Sequence, residues 1–219
     1  MTRRPVDWNQ DGFDPDRLRQ ACAHRALLAL KQHPLQSRHA AAAVIQRAHQ
    51  AEREWQQNPW HIACGPGCST CCQVNVAILA PEADLLVWQL KQKLSPNELE
   101  RLRTQLDRLA VRIAGLDDDE RIACRIPCPL LDDAGSCSLH PVRPLMCRAI
   151  TSTSPEACRE ALALTGLGES RPILMNLRLQ QIYQSAFLGL ADALEAAGHD
   201  ARSRPLILFL HQRLSSSGR

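Results

Sequence analysis

Ten cysteines occur in 219 residues, and nine of them fall in two stretches. The first reads Cys64-Gly-Pro-Gly-Cys68-Ser-Thr-Cys71-Cys72, with three and then two residues between successive thiols. Thiolates so spaced can turn toward one centre, and Gly65 and Gly67 permit the tight backbone that such a knuckle needs. Cys71 and Cys72 pose a different problem. Side chains of consecutive residues diverge, so this pair serves two metals, bridges them, or divides between ligand and support more readily than it chelates one ion.

The second stretch carries Cys124, Cys128, Cys137 and Cys147, with Cys158 eleven residues further on. The turn-like Asp132-Asp133-Ala134-Gly135 sits between Cys128 and Cys137 and brings them together if it closes a hairpin. Pro141 and Pro144 stiffen the path to Cys147, and Cys158 falls in the first turn of an expected helix, where the dipole favours a thiolate. Four thiolates around Zn2+ or a four-iron cluster leave net negative charge, which Arg125, Arg143 and Arg148 can offset. Eight thiols suit two closed four-sulfur zinc sites, or one cluster plus a second site.

Not every cysteine belongs to this set. Cys22 lies on the apolar face of an expected helix and reads as a buried core thiol, while Cys124 stays open between ligand and bystander. His61 and His140 neighbour cysteines and could ligate, but the thiols leave little need for them.

These residues need elements to position them. Helical periodicity is expected from Asp14 to Lys31, from about Ser37 to Gln57, and from Pro81 to about Leu94. Ser95-Pro96-Asn97-Glu98 is a capping-box start, followed by Leu99, Leu102, Leu106, Leu109 and Ile113 on one face. Further helices are expected from Ser154, over Pro172 to Ala197, and over Pro205 to Leu214, with a short strand or extended lead-in at 74–79. The acidic run Asp117 to Glu120 reads as a solvated loop or a helix start. The expected fold is mainly α: a helical domain with two cysteine-rich irregular loops and a small β-hairpin around a metal site. Along the chain this divides into an N-terminal helical segment (1–58), a cysteine-cluster metal-binding region with inserted helices (59–160), and C-terminal helices packing on the same core (161–219).

The cysteine constellation resembles a known family. Cys64-x3-Cys68-x2-Cys71-Cys72, followed by Cys128-Pro-Leu-Leu, Cys137 and Arg143-Pro-Leu-Met-Cys147-Arg148, is similar to the CxxCxxCC, or YkgJ-type, cysteine-cluster family of zinc- or iron-chelating domains. The resemblance covers roughly residues 60–160. It implies Cys64, Cys68, Cys71, Cys72, Cys128, Cys137 and Cys147 as metal ligands, to which the helix-start position adds Cys158, and an iron-sulfur cluster or zinc as the bound group. Two places depart from the family pattern: His140 stands where an aromatic, usually Tyr, is common, and Ala149-Ile150-Thr151 follows the Cys-Arg pair. The family is also similar to flagellin lysine methylases, which implies a second reading as a redox or methyl-transfer enzyme acting on a protein. A third is a metal-stapled helical adaptor that binds a protein partner without catalysis.

Composition bounds the alternatives. Ten cysteines in 219 are too few for a small disulfide scaffold, and no secretory pattern or apolar run near membrane-spanning length is visible, so a cytoplasmic protein with reduced thiols is expected. The net charge is +3, with arginines scattered beside acids, which leaves nucleic-acid binding unsupported. The spacing of Cys64, Cys68 and Cys71 also matches the cluster motif of radical S-adenosylmethionine enzymes, but the chain lacks the alternating strands and helices of their barrel.

Overall fold

The computed structural model describes residues 12–55 and 62–216, so His61 and the expected last turn of the second helix lie outside the described residues. Among the described residues the helices are α1 (Pro15–Gln32), α2 (Arg38–Trp55), α3 (Ala80–Lys93), α4 (Pro96–Ile113), α5 (Asp118–Ala123), α6 (Leu145–Ala149), α7 (Pro155–Thr165), α8 (Leu177–Ala196) and α9 (Leu206–Ser216). Two short strands, β1 (Ala77–Ile78) and β2 (Arg204–Pro205), pair antiparallel. The mainly α expectation is met. No described helix is long and apolar enough to cross a membrane.

Local chemistry explains most helix starts. Asp14 Oδ1 accepts from the N–H groups of Asp16 and Arg17, both at 3.0 Å, and Pro15 then opens α1 with its φ already helical. The Ser95–Glu98 box forms at α4, where Glu98 Oε2 accepts from Ser95 N–H at 2.8 Å. Asp117 and Glu120 make the same reciprocal pair at α5, so the acidic run is a helix start.

Two apolar clusters hold the helices together. The first joins α1, α2 and α8 with Leu145 and Ala149 of α6. The second joins α3, α4 and α9 with Ile126, Leu130 and Leu139 from the second cysteine stretch. Cys22 is fully buried in the first cluster, as expected. There α1 and α8 approach so closely that a Cβ on Gly189 would lie 2.8 Å from Cys22 Cβ, which only glycine avoids.

Two expectations need correction. The long C-terminal helix begins at Leu177, not Pro172, because Thr153 N–H donates to Leu174 O at 3.3 Å and Asn176 N–H donates to Thr151 Oγ1 at 3.0 Å. Asn176 then caps α8 through Leu179 N–H, and Leu174 faces solvent at 77% exposure instead of packing. The hairpin at 128–137 reduces to one isolated antiparallel bridge, Leu131 with Cys137, closed by Asp132 Oδ1 accepting from Ala134 and Ser136 N–H. The stretch 74–79 carries a short strand, as expected, and its partner lies at Arg204–Pro205, beside the last helix.

Candidate metal centre

Backbone contacts draw the two cysteine stretches together. Gly67, at φ +81°, donates its N–H to Ser136 Oγ at 2.8 Å, and a Cβ on Gly135 would lie 3.3 Å from Gly67 O. The two turn tips thus meet backbone to backbone, and both use the left-handed conformation that favours glycine. Further along, Cys128 N–H donates to Cys72 O at 2.8 Å. The start of the first loop is tied elsewhere: Ala63 N–H donates to Ser152 O at 2.9 Å, and Ser152 N–H donates to Cys64 Sγ at 3.3 Å. An amide aimed at sulfur is the support a metal-bound thiolate uses.

The thiols sort into two neighbourhoods. Cys64 is raised by burial above all, against the lowering effect of Ser152 N–H, and further by the nearby thiols of Cys68, Cys71 and Cys158. Cys128 is pushed up to about 11 by burial, with Cys137 adding to it, and Cys147 to about 12 by burial, with Cys128 and Cys137 among its neighbours. Cys72 belongs with these, since Cys128 and Cys147 bear on it. Its thiol is nevertheless lowered, because Cys71 donates a hydrogen bond to it, and the same bond is the leading cause of the rise at Cys71. Cys71 lines the same cavity as Cys72, Cys128 and Cys147, and it is also among the thiols that act on Cys64.

Cations mark the second group. Arg121 is 4% exposed and donates Nη1 to Ile126 O at 2.9 Å; burial lowers it, and the charges of Cys124 and Cys128 oppose that. Arg143 is half-buried; burial again lowers it, but Cys147, Cys71, Cys72 and Cys137 together raise it. Neither guanidinium forms an ion pair with a described carboxylate. A buried cation without a carboxylate is costly unless another anion faces it, and here the facing groups are thiols.

The expected charge partners behave differently from one another. Arg143 faces the thiols. Arg148 does not: its guanidinium donates to the carbonyls of Arg143 (2.9 Å), His140 (2.7 Å) and Pro141 (3.1 Å), and bonds Tyr183, which in turn donates to Glu52. It clamps the loop that presents Cys147. Arg125 is exposed, at φ +48°, and lines a groove beside Cys68. Cys124 caps α5 and is exposed, and its nearest consequence is on Arg121. His140 is exposed, lowered by burial and then by Arg148 and Arg143.

Sequence patterning had no signal for Arg121, Ser152 or Glu82. Glu82 is 1% exposed at the start of α3, and its carboxylate accepts from Leu79 and Leu145 N–H, both at 2.9 Å. It thereby fixes the N-terminal end of α6, which carries Cys147. The S/T-x-x-E signature that reveals such a glutamate is missing because Leu79 occupies the cap position.

Among the described residues no three His, Cys, Asp or Glu side chains already converge closely enough to hold an ion. Gathering four thiols onto one ion requires their side chains to leave these positions. The donor set fits a thiophilic metal: soft sulfur ligands in two groups, amide support at Cys64, and two guanidinium groups to balance anionic thiolates.

Two spaces adjoin the groups. A small, partly open cavity of ≈40 Å³ is lined by Cys71, Cys72, Cys128, Cys147, Arg121 and Arg143, among others. On the other side, an open groove of ≈640 Å³ runs past Cys68, Thr70, Gln73, Arg125, Arg159 and Leu162.

A helical fold whose irregular loops carry these thiols beside Arg121 and Arg143 has the donor types of a thiolate metal-chelating domain. The family comparison agrees. Residues 63–164 match the family model CxxCxxCC, described as "Putative zinc- or iron-chelating domain". Neither the curated proteins nor the solved structures gave a match.

Proposed function

We propose that the protein holds zinc or iron in two four-thiolate sites joined at Cys71-Cys72. Cys64, Cys68, Cys71 and Cys158 form one ligand set; Cys72, Cys128, Cys137 and Cys147 form the other. The observation that supports this reading is the division of the thiols on either side of an adjacent pair, with Arg143 facing the second set. Neither stretch contains enough regular structure to order itself, and a bound metal supplies the missing free energy. For structural zinc in small domains that amounts to roughly 10–16 kcal/mol at neutral pH. A bound metal would be held by Cys64, Cys68, Cys71 and Cys158 in one set and by Cys72, Cys128, Cys137 and Cys147 in the other, and would supply a cross-link between the two stretches. Residues of this chain do the rest: Ser152 N–H supports Cys64, Arg121 and Arg143 balance charge, and Arg148 holds the 140–148 turn in shape.

Sulfur ligation suits zinc and iron-sulfur clusters alike. Metal analysis and a visible absorption spectrum of anaerobically purified protein separate them. Two colourless equivalents assign zinc, and sulfur-to-iron charge-transfer bands assign a cluster. A fully folded protein that is metal-free and takes up neither metal would overturn the reading.

A further inference from the structure

The open groove of ≈640 Å³ is built from two segments of different chemistry. α7 contributes Arg159 together with the apolar surface of Pro155, Leu162 and Ala163, and the turn at 67–73 contributes the hydroxyls of Ser69 and Thr70 and the amide of Gln73. Among the described residues, the side chains of Ser69, Thr70, Gln73 and Arg125 make no hydrogen bond or ion pair. No carboxylate lines the groove. Arg159 does have a partner, since its Nη2 donates to Glu156 Oε1 at 2.7 Å, but both side chains are exposed. Such a pair is weak and leaves other N–H groups of the guanidinium for a second acceptor. Arg125 holds φ +48°, a left-handed conformation that a residue with a Cβ adopts at a cost and that recurs at ligand sites.

We infer that this groove binds an extended acidic peptide segment of a protein partner, whose carboxylates pair with Arg125 and Arg159. Two guanidinium groups without a carboxylate between them call for an anion, and Arg matches a carboxylate with two parallel hydrogen bonds. The unpartnered ends of Ser69, Thr70 and Gln73 suit the carbonyl and N–H groups of a peptide backbone. Leu162, Ala163 and Pro155 offer apolar surface that an inorganic anion leaves unused, and no aromatic side chain is present on which a nucleic-acid base would stack. Length agrees as well. The α7 residues of the groove run from Pro155 to Ala163, about 12 Å of helix, which matches about four residues of extended peptide. The assignment stands apart from the metal reading, because Cys68 is the one proposed ligand among the groove residues.

The test titrates the full chain, as purified, into a fluorescein-labelled tetrapeptide of alternating glutamate and leucine and reads fluorescence anisotropy. Saturable binding is expected, with half-saturation below about 1 mM, weakening as salt rises from about 0.05 to about 0.5 M. Arg125→Gly and Arg159→Gln should each weaken binding about tenfold, the scale of one charge-assisted hydrogen bond, while circular dichroism and metal content stay those of the wild type. Arg125→Gly places the residue that φ +48° favours at that position, so a loss of binding there does not come from a backbone that fails to form. The matched peptide with glutamine in place of glutamate should bind at least about tenfold more weakly. Absence of saturable binding, equal binding of the glutamine peptide, or unchanged binding in both variants overturns the inference. Displacement of the peptide by glutarate or inorganic phosphate at equal concentration, or by oligothymidylate at lower concentration, also overturns it and assigns the groove to a free anion or a nucleic-acid strand.

Discussion

The carboxylate of Glu82 joins two helix starts by accepting from the backbone N–H of Leu145 at 2.9 Å while its other oxygen accepts from Leu79 N–H. One buried side chain thus closes the first turn of α3 and sets the first residue of α6, two residues before Cys147. Helix N-termini leave backbone donors unpaired, and a carboxylate is a strong partner for them. Here one carboxylate serves two helices from different parts of the chain.

Replacing Glu82 with Ala leaves two buried N–H groups without acceptors. At about 1–3 kcal/mol for each unmade bond, the expected loss is roughly 3 kcal/mol or more. Urea unfolding of the metal-loaded protein measures it, and a loss below about 1 kcal/mol would show that water or a shifted α6 replaces the carboxylate.

Glu82 also gives stability a pH dependence. Burial raises its pKa from 4.5 to about 7, outweighing the two backbone donors that lower it. The folded state therefore binds this proton more tightly than the unfolded state, and the contribution is fully present below pH 4.5 and lost as pH rises to about 7. The stability difference between wild type and Glu82→Gln should shrink over that window and stay flat above it. A difference independent of pH from 4 to 8 (about four decades of proton activity) counts against the assignment.

Gly189 allows a sharper test of packing. An exposed helical Gly→Ala change normally gains about 1 kcal/mol. Here the new Cβ would meet Arg19 O and lie 2.8 Å from Cys22 Cβ and 3.1 Å from Ala23 N, all on α1. Backbone cannot yield as a flexible side chain does, so overpacking wins, and Gly189→Ala should destabilise by about 1–3 kcal/mol. Thermal unfolding of the variant reads the sign directly.

How much of this could be read along the chain depends on the range of the interaction. Ser95 with Glu98 and Asp14 with Pro15 are visible as helix starts because the partners lie within one turn. The start of α8 falls later than the apolar spacing of Leu174 predicts, because the bonds that hold 174–176 extended come from Thr151 and Thr153. The pairing of Ala77 with Pro205 is equally non-local. The cysteine spacing locates the site and isolates Cys71-Cys72 as its odd feature. It carries no information on which distant thiol joins each neighbour, since Cys158 comes to Cys64 through the tie to Ser152 and Cys128 comes to Cys72 through a backbone bond.

The cysteines should divide cleanly by substitution. Cys22 is buried between α1 and α8, burial pushes its thiol up to about 11, and it belongs to neither proposed ligand set. Cys22→Ala should keep the full metal content at a cost of about 1 kcal/mol in stability. Cys128→Ser should lose one equivalent and much of the fold, because its sulfur packs against the second apolar cluster. Plasma emission analysis of the purified variants counts the metal. Retention of both equivalents in Cys128→Ser would remove that residue from the ligand set.

Arg143 separates charge balance from ligation. It is half-buried, has no carboxylate partner among the described residues, and is raised by four cysteines, Cys147 first, against the lowering effect of its own burial. Four thiolates on a divalent ion carry two net negative charges, and removing a facing guanidinium leaves them less compensated in a low-dielectric setting. Arg143→Met preserves length and apolar volume while deleting the cation. The expected result is a folded protein whose tighter metal equivalent binds about 10- to 100-fold more weakly, with Arg143→Lys intermediate because a point charge replaces a planar fork. Chelator competition on the metal-loaded variants measures this. Unchanged affinity in Arg143→Met would mean that Arg121, which lines the same cavity, balances the site alone.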